Sequence, residues 1–165
     1  MTHNLTYPVD VPYLEDGLFL SKVLCLADRC SFDNASFYQR TTRQGSATHS
    51  DLIYSDNARS GFVRAALEIR IFGQEHALNE NQQHLINQAI AKFILLPLQS
   101  CSLGNDFKSY KRLIHSIRSE NFIKLTLHGV DNVYLHLGKV LNTSTLLFYI
   151  YYPFYVRYTR RYETK

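Results

Sequence analysis

Residues 61–72, GFVRAALEIRIF, carry the clearest alternation of apolar and polar side chains in the sequence. Val63, Ala65, Leu67, Ile69 and Ile71 fall on one side of a period-two segment, and Arg64, Glu68 and Arg70 on the other. Alternation over this length predicts a strand with one face on a core and one in water. After Gly73 the period changes. Asn79 is placed to start a helix, with Gln82 where a capping box needs it. Leu85, Ile86, Ala89, Ile90 and Phe93 then recur at helical spacing until Pro97, which is expected to end the helix. After the loop QSCSLGN a second helix is expected from about Asp106 to Ser119, burying Phe107, Tyr110, Leu113, Ile114 and Ile117.

Residues 122–140, FIKLTLHGVDNVYLHLGKV, read as a β-hairpin. Ile123, Leu125 and Leu127 face the core with Val133, Leu135 and Leu137 if the loop is Val130-Asp131-Asn132, with Asn132 in the left-handed conformation. One or two last strands fill 144–160, broken or bulged at Pro153. Upstream, 18–27 fits either a buried strand or a short helix. Residues 35–40 and 52–54 read as strands around a polar surface loop, 41–51. Strands, two helices, then strands predict an α+β fold: an antiparallel sheet with two central helices packed on one face, in a single domain over residues 1–165.

A length of 165 residues with 45% hydrophobic and 19% charged residues suits one packed core and excludes a mainly disordered chain. Cys25, Cys30 and Cys101 are odd in number and lack zinc-knuckle spacing, so buried reduced thiols in a cytoplasmic protein are expected. The first residues have no basic start followed by an apolar run, so no signal peptide is read. The longest uncharged stretch, Val140 to Val156, is interrupted by polar residues and falls short of the ~20 apolar residues of a membrane span. A soluble chain with no membrane partner is expected.

The net charge of +4 is unevenly spread. Residues 1–106 hold 8 Lys/Arg against 11 Asp/Glu, a net of −3, and residues 107–165 hold 10 against 3, a net of +7. A basic final third steers an anionic partner. Within it, the second helix carries Lys108, Lys111, Arg112, His115 and Arg118 off its apolar stripe. The C-terminal YIYYPFYVRYTRRYETK, residues 149–165, interleaves six tyrosines with three arginines and a lysine. As a strand, it places Tyr155, Arg157, Thr159 and Arg161 on one side and Phe154, Val156, Tyr158, Arg160 and Tyr162 on the other.

The resulting expectation is a non-enzymatic binding module for nucleic acid. Lys108, Lys111, Arg112, Arg118, Arg157, Arg160 and Arg161 would meet phosphates, and Tyr155 and Tyr158 would stack on bases. One alternative is protein assembly or homo-oligomerisation through the aromatic tail, because Tyr and Arg also dominate interface hot spots. Another is a small metal-independent ribonuclease. In the hairpin register His128 and His136 are diagonal neighbours near Lys124, the residue types for a general base, a general acid and a charge-stabilising cation. The same two histidines offer metal ligands, but no third stands at a persuasive spacing, so no metal and no cofactor is expected. P-loop and dinucleotide-binding glycine patterns are missing. The adjacent His49-Ser50-Asp51 says little about a triad, which is built in space, and Cys101 has no local histidine to activate it.

Overall fold

The computed structural model describes residues 5–8, 11, 14–27, 29, 31, 55–122 and 124–163, the last four by backbone alone. The segments 35–40, 41–51 and 52–54, with Cys30 and Ile123, lie outside the described residues. Those described form six helices and no strand: α1 (Glu15–Leu26), α2 (Asp56–Glu75), α3 (Glu80–Leu103), α4 (Phe107–Ser119), α5 (Asn132–Thr143) and α6 (Thr145–Glu163). The expected α+β fold with an antiparallel sheet is therefore replaced by a helical one.

At its centre is α3, which packs against each of the other five helices. A helix that is apolar all round belongs in the interior, and Phe93, Ile94, Leu95, Pro97, Leu98, Cys101 and Ser102 of α3 are all buried. Phe93, Ile94, Leu95, Leu98 and Cys101 join Leu18 and Cys25 of α1, Val63, Ala66 and Ile69 of α2, Tyr110, Leu113 and Ile117 of α4, Leu137 and Leu141 of α5, and Phe148 of α6 in one core. The start of α3 is as the sequence predicts. The Asn79 side chain accepts the Gln82 N–H at 3.0 Å, and the Gln82 side chain accepts the Asn79 N–H at 2.8 Å, closing the capping box. Its end is not. Pro97 sits fully buried inside the helix, which continues to Leu103.

The alternating segment 61–72 lies within α2. Its buried residues, Phe62, Val63, Ala65, Ala66, Ile69 and Phe72, step by threes and fours, while Ile71 is exposed. Helical and period-two patterns share Val63, Ala65 and Ile69, so alternation alone picked the wrong period. Ser55 caps this helix by accepting the Ala58 N–H at 3.2 Å.

The hairpin is likewise absent. Its first half is irregular, and the Leu125 peptide is met by the Asn142 side chain instead of a second strand. The Leu125 N–H donates to Asn142 Oδ1 at 2.8 Å, and Asn142 Nδ2 donates to the Leu125 carbonyl at 2.9 Å. Its second half is α5, with Asp131 at the N-cap and Val130, Tyr134, Leu137 and Leu141 at helical spacing against the core. The last strands, 144–160, are α6. Ser144 accepts the Leu147 N–H at its start, Phe148 is fully buried, and Pro153 lies inside it. The ambiguous segment 18–27 is helical and forms most of α1. No helix among the described residues is long and apolar enough to cross a membrane.

Candidate functional site

Helical geometry sorts the aromatic tail into two faces. Phe148 goes into the core with Tyr149, Tyr151, Tyr152 and Tyr155 packed against it. Leu146, Ile150 and Phe154, four residues apart, form a stripe on the outside and are 53%, 53% and 63% exposed. Leu147 and Tyr158 extend it, so α6 holds more exposed large hydrophobics than any other helix. The inward rings are fixed by neighbours. Tyr149 meets the Phe107 and Tyr110 rings at centroid distances of 5.1 and 4.9 Å, and the Tyr151 hydroxyl lies 2.7 Å from His136 Nε2.

Beside the start of this stripe runs the polar face of α4. Lys108, Lys111, Arg112, His115 and Arg118 are all exposed there. Arg112 is drawn to Asp56 at 2.9 Å, and Lys111 lies 5.8 Å from the Phe107 ring centre. No acidic group among the described residues forms an ion pair with Lys108, Lys111 or Arg118. Between α4 and the first turn of α6 lies a groove of about 440 Å³, lined by Tyr110, Lys111, Ile114, His115, Arg118 and Leu146, among others. Tyr110 forms its floor and donates its hydroxyl to the Thr145 carbonyl. Burial raises the Tyr110 phenol well above its ordinary value.

The helical form of α6 separates the side chains that a strand would have aligned. Tyr155 and Arg157, two residues apart, point about 200° from each other on a helix. Tyr155 packs near His136, 5.8 Å between ring centres, while Arg157 and Tyr158 are exposed. Arg160 and Arg161 belong to the last turns of α6. Tyr149 already touches Phe107, the first residue of α4, and Arg157 lies about 12 Å of helix rise beyond it.

The histidines are redistributed too. His136 is on α5 against Tyr151, and His128 is in the turn ahead of α5, where its Nδ1 lies 2.8 Å from Nε2 of His84 on α3. Lys124 is exposed in the irregular segment after α4. The hairpin that would have paired His128 with His136 does not exist, and each ring has a different partner. Glu80 Oε1 is 3.8 Å from His84 Nε2, and the ligand atoms of Glu80, His84 and His128 all lie within 4.8 Å of one another. The signal for this cluster was partly legible, because Glu80 and His84 are four apart in a helix the sequence predicts. Its third member is 44 residues away. Cys25 and Cys101 are buried, and burial pushes each thiol up to about 11, which does not suit a nucleophile at neutral pH.

No family model matches this sequence, and neither a curated protein nor a solved structure matches it.

Proposed function

We propose that the protein is a non-enzymatic docking module that receives an amphipathic helix with acidic flanks from a partner protein. The observation that carries this reading is the exposed stripe Leu146, Ile150 and Phe154 on α6, bordered at its Leu146 end by Lys111, His115 and Arg118 of α4. A helix laid on such a surface buries apolar residues at every third or fourth position, and its acidic edges meet the cations. Charge disfavours a second copy in the same place, since two such faces would bring like charges together. Buried free thiols at Cys25 and Cys101 fit a reducing, cytoplasmic setting.

Nucleic acid is the second reading. In its favour are Lys108, Lys111 and Arg118, exposed on one helix without acidic partners among the described residues. Against it, Tyr155, one of the two tyrosines expected to stack on bases, is packed beside His136, and Tyr149 and Tyr151 are held by Phe107, Tyr110 and His136.

Fluorescence anisotropy separates the two. The probes are a labelled helical peptide with leucines at every third or fourth position and glutamates beside them, its lysine-flanked counterpart, and a mixed-sequence single-stranded oligonucleotide. The docking reading expects the acidic peptide to bind, to hold on in high salt, and to lose at least tenfold in affinity with Ile150→Glu or Phe154→Glu. If neither peptide binds and the oligonucleotide does, with binding lost in salt and on Lys111→Glu, the surface is for nucleic acid. A salt-resistant dimer that Ile150→Glu dissociates would mean self-assembly instead.

A further inference from the structure

Where the first turns of α3 meet the turn ahead of α5, two imidazole nitrogens and a carboxylate converge. We propose that Glu80, His84 and His128 bind a divalent transition metal of the zinc class, joining α3 to the segment that starts α5. This site is separate from the α6 face and does not depend on its function.

The donors come first. Two histidine nitrogens with one carboxylate oxygen suit Zn²⁺ and its neighbours, whereas Mg²⁺ and Ca²⁺ favour all-oxygen sets. Three protein ligands also leave a coordination position for water, as the exposure of Glu80 and His128 allows.

Position is the second argument. Glu80 and His84 are one helical turn apart on α3, so they share a side of it. His128 is brought to them by a turn anchored to α3 on both flanks. Asn87 Nδ2 donates to the His128 carbonyl at 3.0 Å, and Oε1 of the Gln88 side chain accepts the Asp131 N–H at 2.7 Å. The Gln88 amide nitrogen donates to the Asp131 carboxylate as well. Gly129, at φ 77°, lets the turn lie directly on the ring, because a Cβ there would stand 2.2 Å from His84 Cγ. These anchors hold the donors in place whether or not an ion is bound, as supporting contacts around metal ligands do.

Spacing is the third. Two nitrogens bound tetrahedrally at about 2.0–2.1 Å from Zn²⁺ lie about 3.3 Å apart. The His84 and His128 nitrogens are 2.8 Å apart, at hydrogen-bond distance, so admitting the ion needs about half an ångström of opening and a turn of the rings to aim both lone pairs at it. It also needs transfer of the shared proton to the far nitrogen of its ring, and an inward swing of the Glu80 carboxylate. The positive end of α3 opposes a cation here. The Glu80 carboxylate offsets it, and moderate rather than extreme affinity follows.

The test uses the full chain stripped of metal by a chelating resin. Titration calorimetry with Zn²⁺ is expected to give one site. Co²⁺ should give the intense visible absorption of a tetrahedral complex, and Mg²⁺ should do neither. His128→Ala and His84→Ala are each expected to weaken Zn²⁺ at least tenfold and to abolish the rise in melting temperature that Zn²⁺ gives the wild type. Glu80 is exposed, so Glu80→Gln tests the site even if a histidine variant folds poorly, and it should weaken binding several-fold. No Zn²⁺ binding at about millimolar metal, or binding that Glu80→Gln, His84→Ala and His128→Ala leave unchanged, would overturn the proposal.

Discussion

The Ser102 hydroxyl donates to the Tyr149 carbonyl at 2.6 Å, and that carbonyl is the one left without a helical partner by Pro153. Residue 153 of a regular helix would offer its N–H to residue 149, and proline has none to offer. Ser102 is buried in the last turn of α3, so the link that repairs α6 also fixes it to the central helix. A proline that argued against a central strand is thus accommodated inside a helix by a side chain 51 residues earlier in the chain.

Removing that hydroxyl is expected to matter only while the proline is present. Ser102→Ala leaves a part-buried carbonyl unpaired and should cost about 1–2 kcal/mol. Pro153→Ala returns an N–H to Tyr149, so the cost of Ser102→Ala should fall by at least half in that background. Urea denaturation of the four members of a double-mutant cycle measures the coupling, and additive costs would show that Ser102 does not serve this carbonyl.

Arg59 and Asp106 make a second long-range link, and it responds to acid. The Arg59 side chain is only 7% exposed and lies 3.0 Å from Asp106, which also caps α4 through the Ser109 N–H at 3.0 Å. The Ser109 N–H and hydroxyl, and then the Arg59 guanidinium, hold the Asp106 carboxyl at about 2, below its ordinary 3.8. A depressed folded value means the stabilisation is complete above pH 3.8 and is lost as pH falls through about 2. Arg59 is buried but the Asp106 carboxylate is about a third exposed, so Arg59→Met should cost less than a fully buried pair would, about 1–2 kcal/mol at pH 7. The gap from wild type should narrow between pH 4 and pH 2, as measured by urea midpoints across that range.

Local chemistry was legible in this sequence where one signal had one meaning. Asn79 and Gln82 announced a capping box, and the stripe Tyr110, Leu113 and Ile117 announced α4. The errors arose where one pattern fits two periods. Val63, Ala65 and Ile69 satisfy alternation, and only the burial of Phe62, Ala66 and Phe72 reveals the helix. The aromatic and β-branched residues of 144–160 favour strands by propensity, but packing on α3 and α5 overrides it. Exposure of the α4 cations was foreseeable. The α6 stripe was not, because a strand puts Leu146, Ile150 and Phe154 on the same face as Phe148 and Tyr152, which the helix turns toward the core. His84 lies off the apolar stripe that marks its helix in the sequence, and its partner His128 is 44 residues away.

Asn142 replaces a strand partner, and this gives a local prediction. Its amide serves both the N–H and the carbonyl of Leu125. Asn142→Ala should release residues 124–127 from α5 at a cost of about 2 kcal/mol. Amide exchange at Leu125 should rise by at least tenfold relative to that at Leu98 in α3. Asn142→Asp keeps the acceptor and loses the donor, so it should retain protection at the Leu125 N–H. Equal exchange in both variants would show that the segment is held by its apolar contacts alone.

Gly129 is where the turn ahead of α5 comes closest to α3. Its φ of 77° lies in the left-handed region, where a side chain costs about 1–2 kcal/mol, and the added Cβ would collide with the His84 ring. Gly129→Ala is therefore expected to lower stability by more than the backbone term alone, about 2–3 kcal/mol. Asn tolerates left-handed backbone better than Ala but has the same Cβ, so Gly129→Asn separates the two causes. If the collision dominates, both variants should be destabilised nearly equally in thermal melts. A small loss with Asn and a large one with Ala would make backbone conformation the sole reason for glycine at this position.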